Sequence, residues 1–167
     1  MSAAPLKREG DGRSPAGIFP VTGLFGYGSA GEAVARVARL PFLAATPDLK
    51  CIDDPASRHY NRIVDQRRVD KDWRSCEDML RRDGRYEVGA VVGYNGDPVV
   101  PGAGSCIFLH IWEAPGVPTA GCTALAREDM LALATWLDGT LAPVLVQLPH
   151  AVYQTVREPW RLPGGVE

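Results

Sequence analysis

Glycine and proline interrupt this chain so often that long regular elements have little room. There are 18 Gly and 14 Pro among 167 residues, and the runs between them are mostly short. Proline fixes φ and removes a backbone donor, while glycine loosens the chain, so both end helices and strands. The punctuation predicts a mainly β domain with long loops and a few short helices. Lys7 to Pro20 is turn-rich and polar, and Ile18 to Phe25 reads as a first strand. Leu49–Ile52 and Tyr60–Val64 read as short strands around the loop from Asp53 to Arg58, and Val88–Tyr94 and Cys106–Trp112 as stronger ones. Val144–Leu148 reads as a final buried strand between Pro143 and Pro149. Three helices are expected. Glu32–Leu40 is amphipathic, and Cys76–Arg82 has Ser75 as N-cap and Gly84 as its stop. Arg127–Leu137 carries the stripe Met130, Leu131, Ala134, Leu137.

No repeat or linker divides the chain, and 167 residues suit one domain over positions 1–167. A net charge of −2, from 18 basic and 20 acidic side chains, gives no electrostatic footprint for nucleic acid or an anionic membrane surface. No apolar run approaches the ~20 residues of a spanning helix. The opening MSAAPLKREGDGRSP has no apolar core of a secretion signal. The four cysteines, Cys51, Cys76, Cys106 and Cys122, are spaced by 25, 30 and 16 positions, which matches no zinc ribbon or finger. They are also too sparse for a disulfide scaffold, so at least one thiol is a candidate for chemistry. A metal held by Cys106, His110 and Cys122 lacks a fourth ligand, and no metal or other cofactor is expected.

Gly26-Tyr27-Gly28-Ser29-Ala30-Gly31 matches the GxGxxG of dinucleotide sites, with Asp48 or Asp53 downstream. Two features argue against that use. Pro20 would remove a ladder donor from the supposed central strand, and the chain does not alternate strands with long helices. A Gly-rich turn explains the motif.

The sharpest stretch is Gly104-Ser105-Cys106-Ile107-Phe108-Leu109-His110-Ile111-Trp112, a turning segment with Pro115, Gly116 and Pro118, then Gly121-Cys122. Strand alternation puts Cys106, Phe108 and His110 on one face. Cys122 lies ahead of the strongest helix, where a helix N-terminus would lower a thiol pKa. His110 is then a base for that thiol, and the amides of Gly121 and Cys122 an oxyanion hole. Spacing alone leaves open the other reading, a core Cys and a strand-end His that never meet. His59 and His150 are rival bases, with His150 expected at the surface.

Together these segments resemble the YkuD-type L,D-transpeptidase catalytic domain over most of the chain. The similar segments are Gly10-Asp11-Gly12-Arg13-Ser14-Pro15-Ala16-Gly17-Ile18-Phe19, Asp53-Asp54-Pro55 with Tyr60-Asn61, and Tyr94-Asn95. The strongest are Ile107-Phe108-Leu109-His110 and Pro118-Thr119-Ala120-Gly121-Cys122, a His followed by [S/T]xGC. The resemblance implies a β-sandwich-like fold and acyl transfer on peptidoglycan stem peptides. A Cys attacks the L,D bond before a terminal D-Ala, and an amine of a second stem takes the acyl group to form a 3-3 cross-link. Water as acceptor gives an L,D-carboxypeptidase, and some relatives form 1-3 links. By motif position Cys122 is the nucleophile, His110 the base, Gly121 the close-approach residue and Thr119 the [S/T] position. The carbonyl of Ile111 would orient the imidazole.

The chain departs from the common family form. Ala120 and Ala124 stand where a His and an Arg are usual, which raises the alternatives of a hydrolase or amidase trimming stems, and of a non-catalytic wall-binding module. Cys122 follows His110 by only 12 positions, so a lid between them must be small. Nine residues precede the Gly10 segment, so strands usual upstream are expected to be missing or replaced by another element. Tyr60, Arg58 and Arg62 are candidates to line the stem groove, with a salt-bridged surface loop as the alternative. Trp112 is a candidate wall of the cleft and Trp136 a core residue. Cys51, Cys76 and Cys106 are core or surface thiols, of which one pair at most bridges in an oxidising compartment. The family implies the periplasm or cell envelope.

Overall fold

A computed structural model describes residues 6–164. Its spine is β1 (Gly17–Gly26), a ten-residue strand that serves two neighbours in turn. The first half pairs antiparallel with β9 (Val144–Gln147), Ile18 opposite Val146. The second half pairs antiparallel with β6 (Val88–Val92), Leu24 opposite Ala90, and parallel with β2 (Phe42–Ala44). β7 (Phe108–Ile111) follows β6 antiparallel, and β8 (Thr123–Leu125) closes that side parallel to β7. A second sheet has three short strands in the order β4 (Ile63–Asp65), β3 (Leu49–Cys51), β5 (Glu77–Asp78).

The strands of the large sheet split the core by alternation. Leu24, Ala90, Leu109 and Ile111 face one way, against Val34 of α1 (Gly28–Val37) and Met130 and Ala134 of α2 (Arg127–Trp136). Phe25 and Phe108 face the other way, against Cys51, Met79, Tyr86 and Cys106 beside the small sheet. Phe25, Tyr86 and Phe108 make a mutual edge-to-face trio with centroids 5.1–5.7 Å apart. Gly89 of β6 makes this possible, because a Cβ there would overlap the Phe25 ring. The described residues thus form mixed sheets of short strands with three short α-helices, α3 (His150–Val156) being the last, and one 3-10 turn at Gly139–Leu141.

Several expectations change. Residues 76–82 form no helix: Cys51 pairs with Glu77 and Lys50 with Asp78, and Met79 buries its side chain completely. Pairing with β3 satisfies this backbone and decides against a weak local helix preference. Tyr60 and Asn61 lie in turns, with Asn61 at φ 59°, so β4 begins only at Ile63. β9 is not a buried strand, since Val144 is exposed and the rest half-buried. Trp136 is 73% exposed. It sits two residues beyond Ala134, which rotates it off the buried stripe of α2.

The GxGxxG segment joins β1 to α1. Tyr27 donates its N–H to the Glu87 carbonyl at 3.0 Å, and a Cβ on Gly26 would come 2.5 Å from that same oxygen. These glycines serve a tight strand-to-helix packing.

Candidate active site

Cys122 sits between a loop and β8, one residue before Thr123. Three residues of β8 therefore separate it from α2, so the expected helix N-terminus does not act on its thiol. Its sulfur is held from below by β7's approach. The Phe108 N–H donates to Sγ at 3.3 Å, and Sγ–H faces the Cys106 carbonyl at 3.4 Å. The Cys122 carbonyl accepts from Thr119 Oγ1 at 2.6 Å and from Ser14 Oγ at 3.3 Å. Thr119 Oγ1 also accepts the Gly121 N–H at 3.2 Å. That amide is therefore engaged and does not point into an oxyanion hole. Gly121 has φ 148°, and a Cβ there would lie 3.0 Å from the Arg13 carbonyl oxygen.

His110 is buried on β7 on the same face as Phe108, with its ring edge-to-face on Tyr86 at 5.3 Å. Its Nδ1 lies 2.8 Å from the Ile111 carbonyl. A carbonyl only accepts, so Nδ1 carries the proton and Nε2 keeps the lone pair. His110, Thr119 and Cys122 line one cavity of about 100 Å³. Glu77, Arg81, Arg85 and Tyr86 supply its remaining charged and polar wall. Beyond Cys122 a second cavity of about 180 Å³ is lined by Lys7, Glu9, Asp53, Glu77 and Ser105. Glu77, Ala120 and Cys122 belong to both.

The electrostatics hold the resting pair neutral. Burial, then the Glu77 carboxylate, push the Cys122 thiol up to about 12, against the opposing Phe108 N–H, Tyr86 hydroxyl and Arg81. This reverses the expected lowering. Burial pulls the His110 imidazole below its ordinary value, partly offset by the Ile111 carbonyl. Glu77 itself is raised by burial while it accepts the Tyr86 hydroxyl at 2.5 Å.

Other expected residues lie elsewhere. Tyr60 is 3% exposed and lines neither cavity. Its hydroxyl donates to Glu9 at 2.5 Å and accepts the Gly104 N–H at 3.0 Å, which ties the N-terminal segment to the loop before β7. Arg58 is exposed and bridges Asp70 and Asp72 at 3.5 and 3.4 Å, as a solvated loop would. Trp112 is half-buried with its backbone N–H on the Leu125 carbonyl at 2.8 Å, outside both cavities. His59 stacks edge-on against Trp73, and His150 is exposed at the start of α3. Cys51 and Cys106 form a disulfide across 55 positions, so Cys106 is no metal ligand, and Cys76 and Cys122 are free. Among the described residues no group of three or more His, Cys, Asp or Glu is placed to hold a metal. No described helix is long and apolar enough to cross a membrane.

Glu77, Arg81, Arg85 and Tyr86 were not singled out from the sequence. The only sign of them was a dense charged stretch between Glu77 and Glu87, which reads equally as a solvated face.

The L,D-transpeptidase catalytic domain model, YkuD, matches residues 3–146. The chain belongs to that family, whose catalytic fold the mixed sheets and short helices fit. No curated protein and no solved structure gives a match.

Proposed function

We propose that the protein is a cysteine-dependent L,D-transpeptidase acting on peptidoglycan tetrapeptide stems to form 3-3 cross-links. The observation that carries this reading is the shared cavity of His110 and Cys122, with the imidazole tautomer set by the Ile111 carbonyl. Cys122 Sγ attacks the carbonyl of the scissile bond while its proton passes to His110 Nε2. The S–C bond forms, the C–N bond breaks, and His110 returns the proton to the leaving amine. An amine of a second stem then attacks the thioester and gives its proton to His110, and the Cys122 thiol is restored. A resting pair of neutral thiol and neutral imidazole suits this sequence, because the thiolate arises only as the proton moves. The Phe108 N–H at Sγ stabilises the charge that develops there.

Place and partner follow from the same reading. The partners are stem peptides of the wall, and the compartment is the periplasm or cell envelope, where a bond such as Cys51–Cys106 persists.

Incubation with disaccharide-tetrapeptide muropeptides, read by mass spectrometry with Cys122→Ala as control, tests the proposal. A Cys122-dependent dimer fragmenting as a 3-3 link is the expected product. A dimer fragmenting as a 1-3 link, or loss of terminal D-Ala without dimer, would replace the reaction while keeping the nucleophile. No product from stems of any length would leave a wall-binding module in its place.

A further inference from the structure

β8 begins one residue after Cys122, spans only three residues and stands at the end of the large sheet. Among the described residues it has one strand partner, β7. Residues 13–15 follow the nucleophile segment step for step. A Cβ on Gly121 would come 3.0 Å from the Arg13 carbonyl oxygen, and Ser14 Oγ donates to the Cys122 carbonyl at 3.3 Å. At the third step Gln147 of β9 stands between the two segments. Its Nε2 donates to the Pro15 carbonyl at 2.7 Å, and its Oε1 accepts the Thr123 hydroxyl. A carbonyl only accepts, so the Pro15 oxygen fixes which way the amide faces and leaves Oε1 for Thr123. Pro15 is buried, and its carbonyl needs this partner.

The contact also closes the sheet. From β9 to β8 the ladder takes four pairings, through β1, β6 and β7. In a flat sheet these strands would lie roughly 19 Å apart, at about 4.8 Å per pairing. Side chains of Thr123 and Gln147 nevertheless meet, so the sheet curls until its two sides touch. β1 allows the curl, because its register against β6 shifts between Val21 and Gly23, just beyond the half that pairs with β9. The seam falls one residue from Cys122.

We propose that Gln147 and Thr123 are positioning residues for Cys122. Their hydrogen bond, anchored on the Pro15 carbonyl, latches β8 to β9 and fixes the depth at which the sulfur sits. Neither residue lines the two cavities at Cys122, so both act through the backbone of 122–123. The inference rests on the reading of Cys122 as the reacting thiol.

Thr123→Val keeps the shape and strand preference of the side chain and removes its hydroxyl. Gln147→Met keeps the length and removes both polar atoms. In the full chain, well below the unfolding temperature of each variant, iodoacetamide is followed peptide by peptide at one pH. Cys122 in both variants is expected to react about ten-fold faster than in the parent, because a loosened β8 admits water to a sulfur that burial keeps protonated. Cys76 is the internal control and is expected to keep its rate. On muropeptides kcat is expected to fall on the order of ten- to a hundred-fold, with KM within about two-fold of the parent. Thr123→Ser is expected to restore parent values in both assays. The double variant is expected to be no worse than Gln147→Met alone, since both changes break one bond.

If the parent turns over, an unchanged kcat in Thr123→Val overturns the latch, even with a lowered Tm. Full additivity in the double variant, or a Cys76 rate that rises with that of Cys122, also overturns it. The Thr123 series decides alone if Gln147→Met does not fold. If the parent turns over no muropeptide, the transpeptidase reading fails by itself, and an unchanged alkylation rate at Cys122 still overturns the latch.

Discussion

The Phe108 N–H donates to the Cys122 sulfur at 3.3 Å, one step outside the parallel ladder in which Leu109 pairs with Thr123. The ladder between β7 and β8 therefore ends on a thiol where a backbone carbonyl would otherwise stand. The sheet itself aims the sulfur, and no side chain is needed to do so. Cys122 and His110 line one cavity, and Cys122 packs against the cluster that contains Phe108.

The pH profile follows from burial at His110. Its imidazole is held below the ordinary 6.5, so it is protonated, and unable to accept a proton, only at lower pH. The acid limb of kcat/KM on muropeptides is expected below 6.5, with the plateau reaching into mildly acidic solution. A limb at or above 6.5 would contradict the burial argument.

Glu77 is the side chain whose charge most opposes the thiolate, after burial itself. Glu77→Gln keeps an acceptor for the Tyr86 hydroxyl and removes the charge. The Cys122 thiol is expected to titrate about one unit lower, the size of one nearby charge. Peptide-resolved alkylation rates against pH read this without interference from Cys76. Stability moves too. The Glu77 pKa is raised in the folded state, so its contribution is complete below the ordinary 4.5 and is lost as pH rises through the raised value. The glutamine variant lacks that loss, and its Tm advantage over the parent is expected to grow from acid to neutral pH.

Gly121→Ala meets two penalties. The backbone at φ 148° disfavours an L side chain, and the new Cβ lies 3.0 Å from the Arg13 carbonyl. A loss of about 1–3 kcal/mol in denaturant unfolding is expected, together with a larger fall in kcat than in KM. Unchanged stability would show that the Arg13 segment yields.

Removing the disulfide by Cys51→Ala with Cys106→Ala is expected to cost about 2–4 kcal/mol, chiefly through the freed chain in the unfolded state. The Cys106 carbonyl faces the Cys122 sulfur at 3.4 Å, so kcat is expected to fall as well. Reductant should reproduce both effects in the parent, and have neither effect on the double variant.

Much of the fold was legible because alternation and punctuation agree. β1, β6, β7 and α2 lie within a residue or two of their expected places. The [S/T]xGC motif and the strand-end His pointed to Thr119, Cys122 and His110 for a local reason, since each is set within a short stretch of chain. What failed was non-local. Glu77–Asp78 become a strand, where a helix is expected, because β3 offers a partner, and the same pairing carries Glu77 to the cavity edge. Tyr60 looked accessible beside charged neighbours, yet it is buried because Glu9 and Gly104, far away in sequence, converge on its hydroxyl. The low thiol pKa was expected from a helix start that β8 displaces. The Cys51–Cys106 pairing was open among three thiols, and only the tertiary fold brings those two together.

The bond between Cys51 and Cys106 closes a covalent ring, and the ring's contents are selective. Glu77, Arg81, Arg85 and Tyr86 lie inside it, whereas His110 and Cys122 lie outside. The charged wall of the cavity beside Cys122 is thus carried on a closed loop that is yoked to the approach to β7, the strand of His110. A protease nick anywhere between Ile52 and Ser105 would leave two fragments joined by sulfur, still co-migrating until reduced. The charged wall beside His110 and Cys122 is in this way protected against being shed by a single cut.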